Sequence, residues 1–269
     1  MQLLKNLSQV HPLMLEHRKT NGSLCEKLLS KIYTLHLKPG DTFIDVGSRV
    51  GHHLFPMARI VGAQGHGLGV EANPYMSKDL VKRIEDDNNF SHLSIAAVAA
   101  GEAKGEASFY VMRKFTGWSS LYAQHVHPNE PDQPEEVQVN IETLDDIYKS
   151  LGWSSCDFIK LDIEHAEFPA IKGGKNLIST HRPLMVFENS PKAAAKLNSY
   201  TSADFFGYFE SIDYAITDIF FNEFNETRWH NETPLPSYYV ASPKEANLSN
   251  NESFLSECEA HLQSLISDA

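Results

Sequence analysis

Short apolar runs alternate with helical stretches along most of this chain, and this alternation restricts its fold more than any other feature. The runs DTFIDV, HGLGV, CDFIKLD and PLMVFE are each followed by a segment with apolar residues at helical spacing. Strands that alternate with helices form a largely parallel sheet with helices on both faces. We therefore predict an α/β fold, in one domain that spans residues 1–269.

Several finer features follow from the same patterns. The segment HLSIAAVAA is predicted to be one strand, and FPAIKGGKNLIST one helix. The last two strands, one of them after Pro236, are expected to supply an antiparallel edge to the sheet. Three elaborations are predicted: a helical extension over 1–38, a loop over the active site at 113–136, and a C-terminal helix over 245–269.

Charge and hydropathy exclude some classes of partner. The formal net charge of −12 disfavours a phosphate-binding face, so neither nucleic acid nor an anionic membrane is an expected partner. No apolar run approaches the roughly 20 residues that span a bilayer. The first residues lack the apolar core of a signal peptide, which favours a cytoplasmic location. The sequence leaves the oligomeric state open.

A glycine motif follows the first predicted strand, where open α/β sheets bind ligands. Asp45 is followed by Gly47 and Gly51, and Glu71 ends the second predicted strand. A carboxylate at that position can accept hydrogen bonds from both ribose hydroxyls of a nucleoside. The motif is not the GxGxxG that cradles a diphosphate, so the ligand is a nucleoside with little or no phosphate. S-adenosylmethionine fits, although a generic glycine turn beside a solvated Glu71 is the alternative.

At this point the chain resembles the FkbM family of methyltransferases. The matching segments occur in the family's order over roughly residues 40–190: FIDVGSRVGHH, VEANP, SIAAV followed by GEAKGEASFYV, SSL, ETLDD, DFIKLDIEHAE and LMVFE. The resemblance implies the Rossmann-like class I methyltransferase fold with a mostly parallel seven-stranded sheet. It also implies S-adenosylmethionine as donor and usually O-methylation. The expected cofactor-binding residues lie in or beside these segments: Asp45, Gly47, Ser48, Gly51, Glu71, Ala72, Asn73, Ala97 and Asp162.

The chain departs from the family pattern at two places. Ser48 and Arg49 stand where the family usually has Ala and Asn, and Arg49 brings a cation near a cationic sulfonium unless it turns away or pairs with an acid. His165 stands where the family's Asp-Val-Glu-Gly has glycine. Both departures concern cofactor affinity and substrate choice rather than the fold.

The catalytic candidates lie at the end of the CDFIKLD strand. A hydroxyl acceptor benefits from a base, and an imidazole with an ordinary pKa near 6.5 suits that task at neutral pH. We therefore predict His165 as the base, with Asp162 or Glu164 orienting its ring; the alternative is that His165 caps a helix or fills space. Glu188 could join Asp162 and Glu164 around Mg²⁺ or Ca²⁺, but a metal is not expected.

Trp118, Ser119 and Ser120 are the predicted acceptor contacts. They lie in the 113–136 loop, and an aromatic ring beside hydroxyls suits a sugar or another small polar molecule. A packed loop aromatic is the alternative. The predicted function is O-methylation of a hydroxyl on a sugar or secondary metabolite. A cofactor-binding module without catalysis remains open, as does a nucleotide-binding oxidoreductase, against which the missing GxGxxG counts.

Overall fold

The computed structural model describes residues 24–123, 133–231 and 235–267 of the chain. The strands are β1 (Thr42–Val46), β2 (His66–Val70), β3 (Leu93–Ala96), β4 (Ala99–Ala100), β5 (Gly105–Val111), β6 (Glu135–Glu142), β7 (Phe158–Leu161), β8 (Leu184–Glu188), β9 (Tyr214–Asp218) and β10 (Tyr238–Pro243). The helices are α1 (Leu24–His36), α2 (Leu54–Val61), α3 (Pro74–Asp86), α4 (Leu144–Leu151), α5 (Glu167–Lys172), α6 (Lys175–His181), α7 (Pro191–Asn198), α8 (Ser202–Ser211), α9 (Glu226–His230) and α10 (Glu252–Ser267).

Seven of the strands form one sheet in the order β3-β2-β1-β7-β8-β10-β9. The neighbours from β3 to β8 pair in parallel. β10 lies antiparallel to both β8 and β9. This architecture confirms the predicted α/β fold with an antiparallel edge. The parallel strands end at the same edge of the sheet, and the strand order reverses between β1 and β7, which is where such sheets bind ligands.

Both faces of the sheet are covered. All five residues of β1 are buried, and its side chains alternate between two hydrophobic clusters because successive strand residues point to opposite faces. Phe43 packs in the cluster formed with α1, α2 and α10. Ile44 and Val46 pack in the cluster formed with α5, α6 and α8. The sheet edge that carries the strand ends is thereby held between two packed layers.

A second, three-stranded sheet has the order β4-β6-β5. The segment predicted as one strand, HLSIAAVAA, is divided between the two sheets. Its first part, β3, pairs with β2, whereas β4 pairs with β6. The chain turns between them at Ala97 and Val98. The prediction of a single strand is wrong because the pairing partner changes at that turn.

The predicted helix FPAIKGGKNLIST is also divided, into α5 and α6. A Cβ atom on Gly173 would lie 2.0 Å from the carbonyl oxygen of Gly101. This close approach of two backbone segments requires glycine. The helix therefore ends at the Gly173-Gly174 pair, where a tertiary contact requires glycine.

The three predicted elaborations are described in part. Residues 1–23 of the N-terminal extension, 124–132 of the loop and 268–269 at the C-terminus lie outside the described residues. Within the described ranges, no helix is both long and apolar enough to cross a bilayer.

Candidate active site

A cavity of about 340 Å³ opens at the carboxyl ends of the parallel strands. Its volume is in the range of small-molecule pockets, roughly 300–1,000 Å³. The segments that follow β1, β2, β3, β7 and β8 contribute to its lining, together with the start of β10 and residues Thr116–Ser119. The cavity therefore lies where the fold predicts a ligand site.

One end of the cavity is formed by Gly47, Arg49 and Glu71, and we call it the glycine end. Glu71 is buried, and its two carboxylate oxygens each accept one backbone hydrogen bond. The N–H of Arg49 lies 2.6 Å from Oε2, and the N–H of Asn73 lies 2.7 Å from Oε1. Burial raises the pKa of Glu71, and the bonds from Asn73 and Arg49 act against that rise. A carboxylate oxygen has more than one lone pair, so both oxygens can accept a further hydrogen bond from a ligand.

The two glycines of the motif are required by the turn itself. Gly47 has a φ of 83°, and a Cβ there would lie 2.0 Å from the carbonyl oxygen of Asp162. Gly51 has a φ of 79°, and a Cβ there would lie 2.3 Å from the ring of Phe55. Both conformations favour glycine. The motif thus fixes the path of the chain after β1 and keeps it against β7.

Lys160 lies beneath this turn, in the middle of β7, with its side chain only 3% exposed. Its ammonium donates to the carbonyl oxygen of Gly47 at 3.1 Å. It also pairs with Asp45 at 3.2 Å and with Asp162 at 3.6 Å. Burial works to lower the pKa of Lys160, but the two carboxylates outweigh it and the pKa is raised. Lys160 therefore holds the ends of β1 and β7 together as a buried cation.

A second part of the cavity lining, which we call the acid end, consists of Asp162, Glu164, Glu188 and Tyr238. The three carboxylates have ligand oxygens within 4.8 Å of one another. The Tyr238 hydroxyl donates to Oδ2 of Asp162 at 2.8 Å. Oxygen ligands at this spacing match the preference of Mg²⁺ or Ca²⁺. The arrangement brings together the three residues that the sequence suggested as metal ligands.

Crowding shifts the pKa values of these carboxyl groups in different directions. Burial works to raise the pKa of Asp162, but Lys160 and hydrogen bonds from Glu188 and Tyr238 hold it below its usual range. Burial, followed by the charge of Asp162, raises the pKa of Glu188 well above its usual range. Burial, followed by Asp162 and Glu167, raises the pKa of Glu164 to about 8. The acid end thus combines one ionised group with two groups that favour their protonated form.

A loop follows β5, and its described part, residues 113–123, is called the covering loop. Trp118 lines the cavity, is 44% exposed and stacks on Phe115 with ring centroids 5.1 Å apart. Ser119 also lines the cavity, and its hydroxyl accepts a bond from the N–H of Met112 at 3.0 Å. The Ser120 hydroxyl instead donates to the carbonyl oxygen of Glu164 at 3.3 Å. Ser120 therefore ties the loop to the acid end and does not line the cavity.

The sequence matches the model of the methyltransferase FkbM domain over residues 45–217. These residues are more than half of the chain and include the glycine end and the three carboxylates of the acid end. This protein belongs to the FkbM methyltransferase domain family. The family resemblance predicted from the sequence motifs is confirmed.

Individual relatives are more distant. Over 118 residues the chain is 32% identical to protein-L-isoaspartate O-methyltransferase 1 of Arabidopsis thaliana, a stretch that covers 43% of this chain and 46% of that protein. The chain therefore matches less than half the length of this curated relative.

Solved structures with a similar chain path include three methyltransferases. An FkbM methyltransferase of Methylobacillus flagellatus is 16% identical with a TM-score of 0.45, over 88% of this chain and 60% of that one. The O-methyltransferase TomG of Streptomyces achromogenes, in complex with S-adenosylmethionine, is 12% identical with a TM-score of 0.48, over 89% of each chain. A Bacillus cereus O-methyltransferase is 12% identical with a TM-score of 0.47, over 91% of each chain.

The two departures from the family pattern share one backbone conformation. Arg49 has a φ of 49° and His165 a φ of 81°, both in the left-handed region that Asn and Gly tolerate best. The family's Asn and Gly at these positions therefore match the backbone of this FkbM domain. Arg49 lines the cavity, and its Nε donates to the hydroxyl of Thr116, another lining residue, at 2.9 Å.

His165 lies beside the cavity rather than in its lining. Its N–H donates to Oε1 of Glu167 at 3.3 Å, and its carbonyl oxygen accepts from Asn198 at 2.8 Å. Asp162 and Glu164, its predicted partners, do line the cavity. The geometry therefore favours a carboxylate over the imidazole as the group that meets a ligand.

The predicted cofactor residues divide into two groups. The group that lines the cavity is Gly47, Glu71, Ala72 and Asp162. The others lie outside the lining. Asp45 pairs with Lys160, and the Ser48 hydroxyl donates to the Asp45 carbonyl oxygen at 2.8 Å. Asn73 caps α3, Gly51 forms the turn after β1, and Ala97 lies at the bend after β3.

The sequence reasoning missed Lys160 and Tyr238. A lysine inside the apolar run FIKL was a usable signal, because a buried lysine requires acidic partners. Tyr238 gave no such signal, since it reaches Asp162 from a strand 76 residues further along the chain.

Proposed function

We propose that this protein is an S-adenosylmethionine-dependent methyltransferase that transfers the methyl group to a hydroxyl oxygen of a sugar or secondary metabolite. The carboxylate of Glu71 supports this proposal most directly. Its two backbone hydrogen bonds fix its orientation and leave both oxygens able to accept from the ribose hydroxyls of a nucleoside. The glycine turn offers no diphosphate cradle, which favours a nucleoside without phosphate.

The cofactor supplies an electrophilic methyl group on a sulfonium. The tasks left to the chain are to align the acceptor, exclude water and take up the acceptor proton. Asp162 remains ionised beside Lys160 and Tyr238, so its negative charge favours a cationic ligand nearby. Trp118 and Ser119 provide a ring face and a hydroxyl for the acceptor.

Glu164 is the proposed base. It lines the cavity, and a carboxylate whose pKa is about 8 is a stronger base than an ordinary glutamate. His165, the base predicted from the sequence, lies beside the cavity and shapes the chain after β7. A divalent cation held by Asp162, Glu164 and Glu188 is the alternative route to proton removal.

Calorimetry with the purified protein tests the donor site. S-adenosylmethionine and S-adenosylhomocysteine should both bind, and NAD should give no heat. Glu71→Gln keeps the shape of the side chain but places an amide against one backbone N–H. It should weaken binding by about 1–3 kcal/mol, the range for hydrogen bonds to a charged group. The exposed Glu85→Gln on α3 is the matched control and should bind as the parent does.

Turnover tests the acceptor class. The protein and S-adenosylmethionine are incubated with hydroxylated sugars and metabolites, and with amine and thiol analogues of the same compounds. Methylation of hydroxyl compounds alone supports O-transfer. Transfer to amines or thiols alone contradicts it. Loss of rate with a chelator, restored by Mg²⁺, would assign proton removal to the metal alternative.

A further inference from the structure

Arg49 contacts both the glycine end and the covering loop. Its backbone N–H donates to the Glu71 carboxylate at 2.6 Å, and its side-chain Nε donates to the Thr116 hydroxyl at 2.9 Å. Its guanidinium also packs over Gly117, where a Cβ would lie 3.4 Å from Nη1. One residue thus connects the candidate ribose acceptor to the turn that carries Trp118.

Other contacts hold the covering loop on either side of its tip. Its base is fixed by an antiparallel bridge between Tyr110 and Ser120. Arg113 reaches the Tyr75 hydroxyl at 3.0 Å. Between these points, Phe115 and Trp118 are 45% and 44% exposed. A tip with this much exposed surface depends strongly on each polar bond that holds it.

We infer that Arg49 is a positioning residue that couples ligand binding at the glycine end to the placement of the covering loop, and hence of Trp118. This inference rests on the proposed function, because the coupling ligand is the cofactor. A ligand that hydrogen-bonds Glu71 restrains the carboxylate to which the Arg49 N–H is bound. A restrained Arg49 backbone in turn favours the one side-chain placement that reaches Thr116. The family's usual asparagine is too short to make this bridge, so the coupling belongs to this chain.

Hydrogen–deuterium exchange with saturating S-adenosylhomocysteine tests the inference without a known acceptor. In the parent, the ligand should slow exchange in two segments: residues 69–76 around Glu71, and residues 113–119 of the covering loop. Loss of one hydrogen bond corresponds to roughly a 2- to 10-fold change in the equilibrium constant for local opening of the loop. Slowing in the covering loop should be of that size.

Arg49→Asn is the decisive variant, because asparagine tolerates the left-handed backbone and should leave the fold intact. It should keep the slowing at 69–76 and lose it at 113–119. Thr116→Val removes the other partner of the bond and should give the same pattern. Arg59→Asn removes an exposed arginine of α2, whose guanidinium lies over the ring of Phe90. It controls for the change in charge and should behave as the parent.

Two outcomes overturn the coupling while leaving the proposed cofactor in place. One is equal slowing of the covering loop in the parent and in Arg49→Asn. The other is a parent in which the ligand slows residues 69–76 but not the covering loop. If S-adenosylhomocysteine does not bind the parent at all, the proposed function fails, and the coupling fails with it.

Discussion

The glycine end and the acid end of the cavity are built from different kinds of contact. At the glycine end, main-chain N–H groups hold the Glu71 carboxylate and a positive φ at Gly47 sets the turn. At the acid end, three carboxylates lie within 4.8 Å of one another, and side chains from different strands set their charge. The first arrangement is a matter of backbone geometry, and the second is a matter of electrostatics.

Under the proposed function, this difference separates cofactor binding from chemistry. Backbone donors hold the Glu71 carboxylate in one orientation, which suits recognition of an invariant cofactor. Crowded carboxyl groups have perturbed pKa values, which suits proton transfer and is common at active sites. The two ends should therefore respond differently to substitution, and each prediction below tests that separation.

The largest effect is expected at the acid end, for Glu164→Gln. If Glu164 is the base, kcat should fall by about 10²–10⁴-fold with cofactor affinity little changed, because a positioned base contributes that much. Steady-state kinetics and calorimetry measure the two quantities. A Gln variant that methylates at the parent rate would remove Glu164 from the chemistry.

The pH dependence of the parent sharpens the same test. A base must be deprotonated to act, and burial with neighbouring carboxylates raises the pKa of Glu164 to about 8. The rate should therefore increase with pH and level off above that pKa. The positive charge of the bound donor acts to lower the pH at which the rate is half its maximum. This increase should disappear in Glu164→Gln.

Lys160→Met should break the connection between the two ends. The substitution leaves the buried Asp45 and the partly exposed Asp162 without their cation, and breaking a buried ion pair costs about 3–5 kcal/mol. Urea unfolding measures the free energy of unfolding. Lys82→Met, which removes a lysine from an exposed pair with Asp86, is the control and should leave unfolding unchanged. A Lys160 variant as stable as that control would contradict the role of Lys160 as a buried cation.

The smallest effect is expected for His165→Gly. A φ of 81° is unfavourable for histidine and ordinary for glycine. The glycine variant should unfold at a slightly higher urea concentration, with a gain of up to about 1 kcal/mol. It should also retain its methylation rate. A large loss of rate would instead restore His165 as the catalytic base.

Local pattern was sufficient for the fold and for part of the site. The alternation of apolar strands with helices predicted the parallel sheet, since the central strands β1 and β7 are buried on both faces. The positions of Gly47 and Glu71 relative to β1 and β2 located the glycine end, because the ends of neighbouring parallel strands meet at one edge. These features depend on spacing along the chain, which the sequence displays directly.

The acid end depends on contacts that the spacing does not display. Tyr238 reaches Asp162 only because β10 inserts antiparallel beside β8, and Lys160 is stabilised only because β1 brings Asp45 next to it. The left-handed backbone at His165 likewise appeared only in the folded chain. Charge states and backbone strain arise from neighbours in space, so the tertiary structure decided which predicted residues face the ligand and which support it.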